Sequence, residues 1–247
     1  MEPESPALQG TPLRKPRPQV PEALVGTRDA LYTVTEEFLH AITHGVGVVL
    51  AIVGLTVLVA RATLYGNAWH ITAVSIFGAT LVLMYAASTL YHSIPLPRAK
   101  NILRVLDHSL IFFLIAGSYT PFTLITLHGP WGWSLFTFTW GITLIGVILK
   151  VRAPGRFEKL HLALYLGMGW CVVVAIRPLL QAMDPAGVAL LIAGGLTYTG
   201  GVAFYLSERL RYHHAIWHLF VLAGSMLHYF AVLFYVIPGP ALSAAAG

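Results

Sequence analysis

From about residue 41 onward, the chain consists of long apolar runs broken by short polar or glycine- and proline-containing stretches. It shows neither the alternation of half-buried strands nor the single apolar stripe of a surface helix. Seven runs, at approximately 41–60, 69–92, 105–127, 132–150, 161–181, 187–206 and 214–236, are long enough to cross about 30 Å of hydrocarbon as helices. The pattern predicts an all-α, polytopic membrane protein with seven transmembrane helices in residues 36–240. Residues 1–35 differ in kind. Pro3, Pro6, Pro12, Pro16, Pro18 and Pro21 stand there among polar and basic residues with no apolar period, which predicts a disordered cytosolic tail. The first run follows Glu36 and Glu37 and lacks a small-residue cleavage motif, so no cleaved signal peptide is expected. Residues 241–247 are expected to be a short external tail.

Composition agrees with a membrane solvent: 57% of residues are hydrophobic and 10% charged, against roughly a quarter charged in soluble domains. The remaining cations set an orientation. Arg14, Lys15, Arg17 and Arg28 precede the first run, Arg98, Lys100 and Arg104 follow the second, Lys150, Arg152, Arg156 and Lys159 follow the fourth, and Arg209 and Arg211 follow the sixth. These thirteen fall on one side, and only Arg61 and Arg177 remain for the other. The positive-inside rule therefore predicts a cytosolic N-terminus and an external C-terminus. A net charge of +5 also suits anionic lipid headgroups. No basic cluster with interleaved aromatics suggests nucleic acid. The one cysteine, Cys171, lies in an apolar run, which excludes an internal disulfide and reads as a small core side chain.

This orientation brings five side chains with metal-site chemistry to one leaflet. Ser88 and His92 end the second span in "STLYH", Asp107 lies in the first turns of the third, and His214 and His218 open the seventh in "HAIWH". Four-residue spacing puts both members of each pair on one helix face. Each piece has a plainer explanation. Ser88 could bond a carbonyl one turn back, the two histidines could be interfacial, and Asp107 could be a first-turn carboxylate or a partner for Arg104. Their coincidence favours chemistry, because ionisable groups in membrane segments are costly and face partners or cavities. Three imidazoles from two helices with a nearby carboxylate match a zinc site that keeps an open position.

Glu37, His40 and His44 of "EEFLHAITHGVG" lie at the same level. His70 and His128 belong to the opposite side, and His228 lies about 15 Å deeper than His218. Glu158 and His161 are expected to be solvated, Arg177 to snorkel to the headgroups, and the glycines of the sixth span to permit close helix packing.

Several ordered motifs resemble the hemolysin III group, within the progestin and adiponectin receptor family. They are Glu37, Ala41, His44 and Gly47 in the first span, "STLYH", "LDHS", "AGSYTPF", "GPWGW", "GMGW", "GGLTYTGG" and "HAIWHLF", running from about Glu36 to Val236. The resemblance implies a multi-pass protein of a bacterial cytoplasmic membrane. It also implies a zinc ion held by His92, His214 and His218, with Asp107 contacting the water at the metal and Ser88 behind it. His40 stands where many relatives have Asn, so the first span adds either an imidazole to the site or a surface contact. The family resembles a wider group of membrane hydrolases that includes alkaline ceramidases.

The chemistry that these groups suit is metal-assisted hydrolysis of a lipid amide or ester, with Asp107 and Ser88 as the catalytic side chains and membrane lipids as partners. A non-catalytic receptor or regulator could use the same zinc to pin helices together. A pore-forming cytolysin would need a polar path across the bilayer, and the outer halves of the spans offer little beyond Arg177 and scattered Ser, Thr and Tyr. A transporter would need buried midplane charge, which the spans lack.

Overall fold

The computed structural model describes residues 32–207 and 209–239. Among these there is no strand, and seven helices are long and apolar enough to cross a membrane. In chain order they are α1 (Val34–Tyr65), α2 (Ala68–Ser93), α3 (Pro97–Pro121) with a π-helical continuation Phe122–Thr126, and α4 (Gly129–Arg152). The fifth span is α5 (Glu158–Trp170), a 3₁₀ turn Cys171–Ala175 and α6 (Ile176–Ala182); the sixth is α7 (Pro185–Tyr205) and the seventh α8 (His213–Tyr235). Most of the predicted tail and all of the predicted external tail, residues 1–31 and 240–247, lie outside the described residues.

Local chemistry explains where the helices start. A reciprocal capping box between Thr33 and Glu36 opens α1, so the helix begins at Val34, inside the predicted tail. Asn67 caps α2 through the amides of Trp69 and His70. Proline stands in the first turn of α3, α4 and α7, where its missing N–H costs nothing. Phe157 and Tyr212 precede α5 and α8 in left-handed conformation, each at φ 61°, an uncommon state for a bulky residue that turns the chain sharply into each helix.

Two spans are broken for visible reasons. Pro121 removes a backbone donor from α3, and the ladder resumes as a π-turn. In the fifth span, the Tyr119 hydroxyl donates to Gly169 O and accepts from Val172 N. With the Tyr119 hydroxyl bonded to its backbone here, the span passes through a 3₁₀ turn at Cys171–Ala175.

Helices α2 and α3 form the centre of the bundle, with 56% and 67% of their apolar windows buried against 17–33% in the other spans. Helix α1 lies against α2 and α8, α7 against α8, and α4 against α3. Gly117 admits Thr80 and Gly78 admits Leu55 where a Cβ would clash, so α3 meets α2 and α2 meets α1 at close range. Large apolar side chains such as Leu144, Ile102 and Val174 face outward, as a hydrocarbon solvent allows.

Four ionisable positions near the helix ends are bound into the bundle. Lys100 and Lys150 are buried, pairing with Glu37 at 2.7 Å and Glu158 at 3.0 Å respectively. Both therefore belong to the folded bundle and not to solvated loops. Glu158 is half exposed but paired, and His161 is buried, not solvated. Helix α5 turns this imidazole inward towards Phe112, with ring centres 6.1 Å apart.

Candidate metal centre

Four imidazoles meet where α1, α2 and α8 converge. His40 comes from the second turn of α1, His92 from the last turn of α2, and His214 and His218 from the first two turns of α8. All four are buried. Ligand atoms of His40, His92 and His214 lie within 4.8 Å of one another. The His218 ring centre is 5.3 Å from that of His92 and 4.6 Å from that of His214. Convergence follows from the helix period, since the HAIWH spacing places both α8 rings on the face turned towards α1.

Neighbouring groups fix which nitrogen each ring offers. His92 Nδ1 lies 2.6 Å from Glu37 Oε2, and the other carboxylate oxygen of Glu37 is held by Lys100 Nζ. A carboxylate only accepts, so Nδ1 carries the proton and Nε2 presents its lone pair. His218 Nδ1 donates to His40 O at 3.2 Å and to Thr43 Oγ1 at 3.1 Å, while the Thr43 hydroxyl gives its own proton to the Leu39 and His40 carbonyls. The proton on His218 Nδ1 leaves Nε2 as its available ligand atom, while the cluster of ligand atoms within 4.8 Å is formed by His40, His92 and His214.

The nitrogens left over are the strongest sign of a missing partner. Both nitrogens of His40, Nε2 of His92 and Nδ1 of His214 are buried with no hydrogen-bond partner among the described residues. A buried polar atom without a partner costs on the order of 1–3 kcal/mol or more, and several converging on one point fit a borderline-soft cation that prefers imidazole. The donor set suits zinc.

Asp107 and Ser88 are also buried and line the same cavity as His214 and His218. This cavity, of about 130 Å³, reaches past Leu114, Leu166 and Val221 to Tyr198 and His228 deep in the bundle. Lys150 and Glu158 stand in its wall. Of the five side chains singled out from the sequence, Ser88, Asp107, His214 and His218 line this cavity, while His92 is outside its lining and packs against the rings of His214 and His218.

Sequence reasoning left His40 open between a surface contact and an imidazole of the site. The structure excludes the surface contact: the side chain has no exposed area and sits among the three other rings. The signal was its four-residue spacing from His44, the same pattern as HAIWH. His44 takes a different place, stacked in parallel on His218 at 3.6 Å. Glu37 and Lys100 were missed as supports of His92, because their contact joins residues far apart in the chain.

Comparison with known proteins agrees with this architecture. The family described as Haemolysin-III related matches residues 32–229. The chain is 46% identical over 205 residues to Hemolysin-3 of Bacillus cereus, covering 83% of this chain and 94% of that protein. It is 45% identical over 213 residues to the Hemolysin-3 homolog of Bacillus subtilis (strain 168), covering 86% of this chain and all of that protein. A more distant likeness, 28% identity over 214 residues, joins it to the human monocyte to macrophage differentiation factor, with 84% of this chain and 87% of that protein covered. The chain belongs to the haemolysin III family of multi-pass membrane proteins, within the wider progestin and adiponectin receptor family.

Proposed function

We propose that this protein is a zinc-dependent hydrolase of a lipid amide or ester, working at the cytosolic leaflet of a bacterial cytoplasmic membrane with its N-terminus inside. The observation that carries the reading is the joining of two features: buried imidazoles without partners, and an apolar cavity whose wall holds Asp107, Ser88, His214 and His218. A purely structural metal would need no cavity.

His92, His214 and His218 would hold the zinc, which when bound supplies the Lewis acidity that makes water a nucleophile near neutral pH. Asp107 accepts the proton of the attacking water as its oxygen bonds to the substrate carbonyl carbon. Ser88 donates a hydrogen bond to the oxygen on which negative charge develops, or orients Asp107. The C–N or C–O bond then breaks, and the leaving nitrogen or oxygen takes the proton back from Asp107. The apolar wall of Leu114, Leu166 and Val221 receives the acyl chain and excludes competing water. Incubating purified protein with ceramide and phospholipid panels, with and without chelator, tests the proposal. Metal-dependent release of fatty acid supports it, and no release from any lipid overturns it.

A further inference from the structure

The four rings His40, His92, His214 and His218 stand at the corners of a near-regular tetrahedron. The six separations between their ring centres run from 4.6 Å for His214 and His218 to 5.5 Å for His40 and His218. The other four are 4.7, 4.8, 5.3 and 5.3 Å. Four imidazoles bound tetrahedrally through nitrogens about 2.0–2.1 Å from zinc place their ring centres roughly 5 Å apart. The ligand atoms of His40, His92 and His214 lie within 4.8 Å of one another, and those of His218 do not join that set, so ligation by all four rings requires the His218 ring to turn.

We infer that His40 is a fourth zinc ligand, contributed by α1, and that it occupies the coordination position a three-histidine site would leave open. The inference rests on the zinc reading above and adds a closed state of the same site. Three observations support it independently of the spacing. His40 carries two buried nitrogens without a hydrogen-bond partner among the described residues. Its ring packs edge-on against Tyr32 at 4.7 Å, and Tyr32 also lies against His214 at 5.3 Å. Its own carbonyl accepts from His218 Nδ1, so the backbone of α1 is registered to the ligand face of α8 at the same residue. Ligation by His40 joins α1 to α2 and α8 through one ion. Water or a lipid carbonyl then reaches the metal only by displacing His40 or by adding a fifth ligand.

The test uses the full chain in detergent, stripped of metal and reloaded with cobalt(II), whose visible spectrum reports ligand number. The wild-type spectrum should not respond to azide, and X-ray absorption of the zinc-loaded protein should count four imidazoles. His40→Asn should make the cobalt spectrum azide-responsive and raise the metal dissociation constant about tenfold or more. If that variant does not fold, the wild-type imidazole count decides alone. Three imidazoles with a light oxygen ligand, together with an azide-responsive wild-type spectrum, would overturn the inference. Four imidazoles without lipid turnover leaves His40 as a ligand and removes the hydrolase, three imidazoles with turnover does the reverse, and a chain that takes up no metal removes both.

Discussion

His92 Nδ1 and Glu37 Oε2 are 2.6 Å apart, which makes a residue at the start of α1 the hydrogen-bond acceptor for an imidazole at the end of α2. Lys100 holds the same carboxylate at 2.7 Å and donates to the Tyr91 carbonyl at 3.1 Å. Glu37 therefore fixes the tautomer of His92 and is itself oriented by Lys100. Substituting Glu37→Gln should weaken zinc binding by about 10–100-fold, the usual cost of losing a carboxylate behind a ligating histidine. Metal titration of the purified variant checks this, and unchanged affinity would show that the pair merely packs the two helices.

Because the proposed ligands His92, His214 and His218 come from α2 and α8, bound metal should hold the bundle together by mass action. At zinc one hundred times its dissociation constant the gain is about 2.7 kcal/mol. Melting curves with zinc and with chelator should differ accordingly. The difference should shrink as pH falls, because protons compete for the nitrogens that the metal requires neutral.

Close helix contact makes a separate prediction. A Cβ on Gly117 would collide with the Thr80 side chain, whereas Gly141 has nothing within 4 Å. Gly117→Ala should lose about 1–3 kcal/mol through overpacking. Gly141→Ala should be neutral or gain up to about 1 kcal/mol from helix propensity. Thermal melting in detergent measures both.

The thirteen basic residues counted on the predicted inner side, against Arg61 and Arg177 on the other, predict opposite locations for the two termini. Reporter fusions should place the N-terminus in the cytosol and the C-terminus outside. Both reporters on one side would contradict the orientation.

The spans were legible because a membrane helix must be apolar over its whole lipid-crossing length. Their ends were less so, since Thr33 and Glu36 start α1 by hydrogen bonding, which hydropathy does not register. The HAIWH and STLYH faces were legible from the helix period alone. The pairing of Lys100 with Glu37 was not legible, because nothing local marks a lysine whose carboxylate partner lies more than sixty residues earlier in the chain. The break at Cys171–Ala175 was illegible for the same reason, since the Tyr119 hydroxyl bonded to the backbone there comes from another span. His40 carried the right spacing from His44, but choosing which of the two joins the cluster required the packing of α1 on α8.

Catalysis and stapling separate most directly at Asp107, which lines the cavity beside His214 and His218. The deciding measurement is fatty-acid release from ceramide and phospholipid by zinc-loaded wild type and by Asp107→Asn at equal zinc content. The account predicts that the variant keeps its zinc, since the imidazoles remain, and loses turnover by ~10²–10⁴-fold, because an amide cannot take the water's proton. Full hydrolytic activity in Asp107→Asn would contradict the mechanism, and absence of release by the zinc-loaded wild type would contradict the function itself.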